Sequence, residues 1–261
     1  IAADVLGCDL ENIVSHGVDT DVSPYDSGSY ASSTAYLTGM AAVKASNSMI
    51  RLITEKGAEY LEKTPEEVDF DGEQVFAKDG SASISLKDIG NRAMANNGKA
   101  LEVTESHSSP VSPPPFMVGM AEIEMDQETC DFELVNYVAV VDCGTPINPA
   151  IARVQTEGGL GQGIGMALYE NVQYTDYGRM MNNSLMQYKI PARVDLCKLR
   201  VEFESSYEQS GPFGAKSIGE IVINTPSPAL AHAIYNATGV WFKELPITSE
   251  KIAMALLNKQ K

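Results

Sequence analysis

Between Ser33 and Leu61 apolar side chains recur at helical spacing. Tyr36, Met40, Val43, Ile50 and Ile53 fall along one stripe, which predicts a single long helix over 33–61. Small residues on it, Gly39, Ala41, Ala42 and Ala45, predict close packing against another element. Ahead of it, residues 1–9 read as helix, 13–23 as strand or loop, and 24–34 as a polar segment punctuated by Gly, Ser, Asp and Pro. Thr64-Pro65-Glu66-Glu67 carries the marks of a helix start: Thr at the N-cap, Pro at the first helical position, and Glu closing a capping box. Little helix can follow it, because 69–80 reads as a hairpin with turn residues at each end. Ser85 and Asp88 mark a second start, of a helix running to about Asn96.

Beyond a Ser/Pro-rich stretch at 106–116, residues 116–126 and 130–144 alternate apolar and polar positions around a turn, which predicts a second hairpin. A helix with a glycine-dense middle is expected over 145–170, a turn at 175–180, a strand over 196–205, and helices over 227–238 and about 249–258. No internal repeat is visible. Helices and antiparallel hairpins in mixed order favour an α+β fold over a doubly wound parallel sheet. Prolines resist both helix and central strand, so the expected division is a first α+β region at 1–105, a linker at 106–116 and a second α+β region at 117–261.

Composition narrows the function class. The chain is 44% hydrophobic and 21% charged, ordinary for a globular protein, and no apolar run is long enough to cross a bilayer. Its 19 basic and 35 acidic residues give a net charge of −16, which argues against nucleic acid as a partner. Local backbone N–H groups can still bind an anion. Cys8, Cys130, Cys143 and Cys197 are scattered, with no paired spacing, so an iron–sulfur or zinc site within the chain is not expected. Reduced thiols of this kind suit a cytoplasmic protein. His16, His107 and His232 are far apart and lack ligand spacing. The chain opens without methionine in what reads as mid-helix, so an upstream portion, or a companion chain supplying it, is expected.

Three stretches are candidates for chemistry. In 28–34, Gly-Ser-Tyr-Ala-Ser-Ser-Thr presents N–H donors and hydroxyls at a helix start; this suits an anionic cofactor, or is an ordinary N-cap. Glycines at 158, 159, 161, 163 and 165 follow helical residues rather than a strand, which excludes a Rossmann loop. They make a small helix face that lets another backbone or a flat cofactor come close, and Gln155 and Gln162 lie near one face of that helix. In 211–220, a glycine-shaped loop leads to one carboxylate, Glu220. That acid is either a catalytic base, shielded by Ile218, Ile221 and Val222, or a structural group that caps the next segment or pairs with Lys216.

Taken together, 26–34, 141–149 (VDCGTPINP), 155–170, 188–192, 214–220 (GAKSIGE) and 237–252 resemble the molybdopterin-binding subunit of the molybdenum hydroxylases, the family of xanthine dehydrogenase and aldehyde oxidase. Residues 16–34 are most similar to bacterial enzymes acting on nitrogen heterocycles, such as nicotinate or xanthine dehydrogenases. The resemblance implies a molybdopterin, in the cytosine dinucleotide form, held by Ala31, Ser32, Ser33, Thr34 and Gln155. The metal is held by the pterin dithiolene, with no direct protein ligand. It implies Glu220 as the base beside molybdenum, in the hydroxylation of an electron-poor carbon with water as the oxygen source. Nicotinate or a purine is the expected kind of substrate, with aldehyde- or carbon monoxide-oxidising members and a non-catalytic assembly subunit as alternatives. 2Fe–2S and FAD centres are expected on partner chains. The family's upstream molybdenum-binding half has no counterpart here, as in nicotinate dehydrogenases whose molybdenum subunit is divided, so the chain is expected to act only with its partners.

Overall fold

The computed structural model describes residues 1–17, 19–21 and 23–259. Val18 and Val22, inside the 13–23 stretch, lie outside the described residues; the rest of that stretch forms neither helix nor strand. The chain divides into two units, Ile1–Ser112 with Gln209–Pro212, and Pro113–Glu208 with Phe213–Lys261.

In the first unit, α1 (Ala2–Leu6) ends where Gly7 takes a left-handed φ of 71°. A short 3-10 turn, Leu10–Asn12, follows in place of continued helix. The long helix α2 (Thr34–Tyr60) lies within one residue of its predicted bounds. Its buried face is Tyr36, Gly39, Ser46, Ile53, Gly57 and Ala58. Met40, Val43 and Ile50 are only half-buried. A Cβ on Gly57 would stand 2.6 Å from the Val75 side chain, so glycine is what lets this helix lie on the sheet beneath it.

The Thr64 capping box forms, with Thr64 N donating to Glu67 Oε2 at 2.8 Å, but it opens only one 3-10 turn, Pro65–Glu67. Val68, 2% exposed, must enter the core at once as a strand residue. The strands β1 (Val68–Phe70), β2 (Gln74–Ala77) and β3 (Ser83–Ser85) form an antiparallel sheet in that order. The predicted hairpin is therefore three-stranded, and its last strand is too short to show a periodic pattern. Ser85 Oγ accepts from Asp88 N at 3.1 Å and starts α3 (Leu86–Asn97). Ile53, Ala58, Val68, Val75, Ile84 and Ile89 make the core of this unit. Residues 99–112 lie along α2, where Ser48 Oγ donates to Glu105 Oε1 at 2.6 Å and the Tyr36 hydroxyl meets Ser109 Oγ at 2.9 Å.

In the second unit, β4 (Phe116–Met125) and β5 (Phe132–Asp142) pair antiparallel, as the alternation predicts. The strand β6 (Lys198–Phe203) adds to β5 in parallel, a pairing the pattern did not predict. The run 137–141 is apolar at every position, as befits a central strand flanked on both edges. Tyr137, Ala139 and Val141 are fully buried. A bulge opposite Glu122/Ile123 leaves Val135 unpaired. It shifts the inward set on β5 from Phe132 and Leu134 to Tyr137, Ala139 and Val141.

One face of this sheet is covered by helices. The helix α4 (Pro149–Leu168) packs on β6, and α6 (Pro226–Thr238) packs on β4; the short α5 (Ile221–Asn224) lies against α4. The last helix, α7 (Ser249–Lys259), closes a cluster of Cys130, Ile234, Ile247 and Ile252. The α+β expectation holds, with one parallel strand pair inside it. Among the described residues no helix is long and apolar enough to cross a membrane.

Candidate functional site

The loop ending at Glu220 is shaped by its own backbone and then clamped. Phe213 and Gly214 are both left-handed, with φ of 52° and 87°. Gly214 has no room for a side chain, since a Cβ there would stand 2.4 Å from Tyr207 Cδ2. Lys216 N donates to Cys143 O at 2.8 Å, and Thr145 N donates to Gly214 O at 2.9 Å. The loop is thereby tied to the turn that leaves β5. Gly144, at φ 68°, makes this approach feasible: a Cβ on it would meet the Gly214 carbonyl oxygen at 2.2 Å.

A part-buried ion pair seals the clamp. Lys216 Nζ lies 2.7 Å from Asp142 Oδ2, with the two side chains only 9% and 21% exposed. Asp142 Oδ1 accepts from Ser206 Oγ and from Gly144 N. Burial pushes the Asp142 carboxyl up, but the Lys216 ammonium and the Ser206 and Gly144 donors outweigh it and hold it below the usual aspartate range. A depressed folded-state value means that the pair's contribution to stability is complete above about pH 4, the unfolded aspartate range, and is lost as pH falls through the lower folded value. Acid unfolding is therefore expected to narrow the gap in Tm between the wild type and Asp142→Asn as pH drops from about 5 to 2. A gap that stays constant with pH would contradict it.

Glu220 takes neither structural role that the sequence left open. It occupies the N-cap position of α5, yet its side chain makes no cap hydrogen bond. Lys216 is paired with Asp142 instead. Among the described residues no hydrogen-bond or ion-pair partner of the Glu220 carboxylate is found, and the side chain is exposed. The expected shielding by its apolar neighbours does not occur within this chain. Ile218 and Ile221 pack into the cluster around Tyr137 and Leu160, and Val222 is fully buried. They anchor the backbone on either side of Glu220 and leave the acid itself in the open.

The glycine-dense helix resolves into two faces. Asn148 Oδ1 accepts from Ala150 N and Ile151 N, and Pro149 takes the first helical position, so α4 starts as a well-capped helix. A Cβ on Gly159 would stand 2.0 Å from Val222 Cγ2, and one on Gly163 would stand 2.6 Å from Pro226 Cγ. The close approach at these two positions is thus made by the chain's own α5–α6 segment. Gly158 has nothing within 4 Å. Gln155 is exposed one turn before Gly159, on the helix that packs against α5, and Gln162 is exposed as well.

Residues 31–34 belong to the first unit, whereas Gln155 and Glu220 belong to the second. Ala31 and Ser32 are consecutively left-handed, at φ 52° and 55°, an uncommon state for non-glycine residues that concentrates at functional sites. Ser33 is the N-cap of α2 but makes no side-chain cap bond, and the first turn of this 27-residue helix carries no acid. Ser29 Oγ accepts from Thr34 N at 3.3 Å. The N-cap role is thus unfilled by Ser33, and the positive end of the helix dipole, with the hydroxyls of Ser32, Ser33 and Thr34, is suited to an anion.

Sequence reasoning missed Asp142 and Lys216 as a pair. The acid ends a strand and the lysine sits in a loop 74 positions away, so no local pattern joins them. Among the described residues no group of three or more His, Cys, Asp and Glu side chains could hold a metal ion.

Comparison with known proteins gives a consistent picture. A family model described as molybdopterin cofactor-binding domain matches residues 1–197. The probable hypoxanthine oxidase XdhD of Escherichia coli K12 is 33% identical over 98% of this chain and 27% of its own length. The 6-hydroxypseudooxynicotine dehydrogenase complex subunit gamma of Paenarthrobacter nicotinovorans is 31% identical over 97% of this chain and 33% of its own length. Among solved structures, quinoline 2-oxidoreductase from Pseudomonas putida 86 superposes with a TM-score of 0.80 at 26% identity, over 98% of this chain and 34% of that one. The chain therefore spans about a third or less of the relatives it matches.

Proposed function

Because this chain belongs to the molybdopterin cofactor-binding domain family, we propose that it is the C-terminal portion of the molybdopterin-binding subunit of a molybdenum hydroxylase, with Glu220 as the catalytic base. The observation that carries the reading is the Glu220 carboxylate: exposed, held on a clamped loop between buried anchors, and engaged in neither structural role open to it. Ala31, Ser32, Ser33, Thr34 and Gln155 are the proposed cofactor-binding residues. The unfilled N-cap, acid-free first turn and hydroxyls at 31–34 fit an anionic phosphate, and the exposed Gln155 amide can both donate to and accept from a pterin edge.

When bound, the molybdenum centre supplies the redox chemistry of hydroxylation. The chain's own residues bind and orient: N–H and hydroxyl groups at 31–34 hold negative charge, Gln155 reads a ring edge, and Glu220 accepts at a carboxylate oxygen the proton released during hydroxylation. The proposed substrate is an electron-poor nitrogen heterocycle such as nicotinate or a purine. Support comes from relatives whose names specify hypoxanthine and quinoline. The proposed partners are the rest of the molybdenum subunit, a 2Fe–2S subunit and an FAD subunit; a relative named as one subunit of a complex supports this. The cytosine dinucleotide form of the cofactor and a cytoplasmic location complete the reading.

Elemental analysis of the purified intact complex tests it. Molybdenum is expected in equal amount to this chain, iron and FAD are expected with the co-purifying subunits, and cytidine monophosphate is expected on acid release. A complex that turns over its substrate without molybdenum sinks the proposal.

A further inference from the structure

We propose that Lys216, locked by Asp142, is a positioning residue that sets where the Glu220 carboxylate sits; this rests on Glu220 being the base. An ammonium has three protons to donate, and Lys216 makes two hydrogen bonds and one ring contact. It donates to Asp142 Oδ2 at 2.7 Å and to Pro114 O at 3.3 Å, and it lies 5.5 Å from the centroid of the Phe116 ring. The start of β4, the end of β5 and the glycine loop are thus joined at one nitrogen atom.

Glu220 has no such tie of its own. Only Ser217, Ile218 and Gly219 separate it from Lys216, and Ile221 and Val222 hold the chain on its far side. The position of its carboxylate is therefore inherited from backbone anchors, among which Lys216 supplies the ion pair. An ion pair drawn largely out of water adds little net stability over a well-packed apolar pair, and its best-supported use is to specify one geometry among several. Here that geometry is the path of 214–220 across Gly144, which the Gly144–Ala215 bridge and the Lys216 N to Cys143 O bond define. A shift of about 1 Å in a catalytic group costs on the order of 100-fold in rate.

The test uses the intact complex loaded with molybdenum. Lys216→Met is expected to lower kcat by about 10- to 100-fold, with KM and molybdenum content unchanged. Lys216→Arg, which keeps the charge, is expected to recover part of that loss. Hydrogen exchange at 205–220 and at the Thr145 amide is expected to quicken in Lys216→Met and to slow again in Lys216→Arg. The paired variant Asp142→Asn/Lys216→Met leaves no unpartnered charge at the clamp, so it is expected to keep the fold while lowering kcat as the single variant does. Full kcat in either folded variant overturns the proposal, and so does lost kcat with unchanged hydrogen exchange. Failure of both variants to fold overturns it too, because the pair would then determine the fold rather than the place of one side chain. Glu220→Gln, run alongside, separates the two ideas: if it keeps full turnover, the reading of Glu220 as base fails whatever Lys216 does.

Discussion

Glu220→Gln in the intact complex is expected to lower kcat by a factor on the order of 100 to 10,000, the usual range for removing a general base. Glutamine matches glutamate in size and keeps its hydrogen-bonding reach but cannot take up a proton at neutral pH. The side chain makes no structural contact whose loss would confuse the result, since the carboxylate neither caps α5 nor pairs with Lys216. Tm and bound molybdenum are therefore expected to match the wild type. KM is expected to change little, because an interaction realised only in the transition state affects kcat. Steady-state kinetics with metal analysis on the same preparation decide it, and normal turnover with full metal content rules out Glu220 as the base.

The second large effect is expected on α4, where neighbouring glycines should respond in opposite directions. At Gly159 even a methyl group would stand 2.0 Å from Val222 Cγ2, and at Gly163 it would meet the Ile223 carbonyl oxygen at 2.8 Å as well as Pro226. Alanine at 159 should destabilise the second unit by roughly 1–3 kcal/mol, and leucine by the upper end of that range or more, because α5 would have to move off the helix. At Gly158 nothing lies within 4 Å. Alanine there should stabilise the chain by about 0.5–1 kcal/mol through helix propensity alone. Urea unfolding of the three variants gives the signs directly. Equal responses at 158 and 159 would mean that the glycines are not sorted into a packed and an open face. Displacement of α5 would also move Glu220, which precedes its first residue, so Gly159→Leu is expected to lose activity as well as stability.

Much of the fold was legible where one periodic signal ran for many residues. The stripe over 33–61 predicted α2 to within a residue, and alternation around 126–130 predicted the β4–β5 hairpin. Capping chemistry was legible too, at Thr64, Ser85 and in the proline-led start of α4. Failures fell where tertiary contact overrides a local signal. The capping box at Thr64 opens one 3-10 turn and no α-helix, because Val68 is drawn into the core two residues past Glu66. The strand at 198–203 was foreseen, but its parallel pairing with β5 was not, since a parallel partner is set by a long crossover rather than by neighbouring residues.

For the candidate site, residue types and their order were readable along the chain: hydroxyls and N–H groups at 31–34, an amide at Gln155, one acid at Glu220. Order along a chain says nothing of what each group touches. The folded chain shows that Gly159 and Gly163 admit its own α5–α6 segment, that Ile218 and Val222 pack into the core rather than over Glu220, and that Lys216 answers Asp142. An ion pair or a close packing contact is made across space between residues far apart in sequence. The local signals of periodicity, capping and turn chemistry reach only a few residues along the chain.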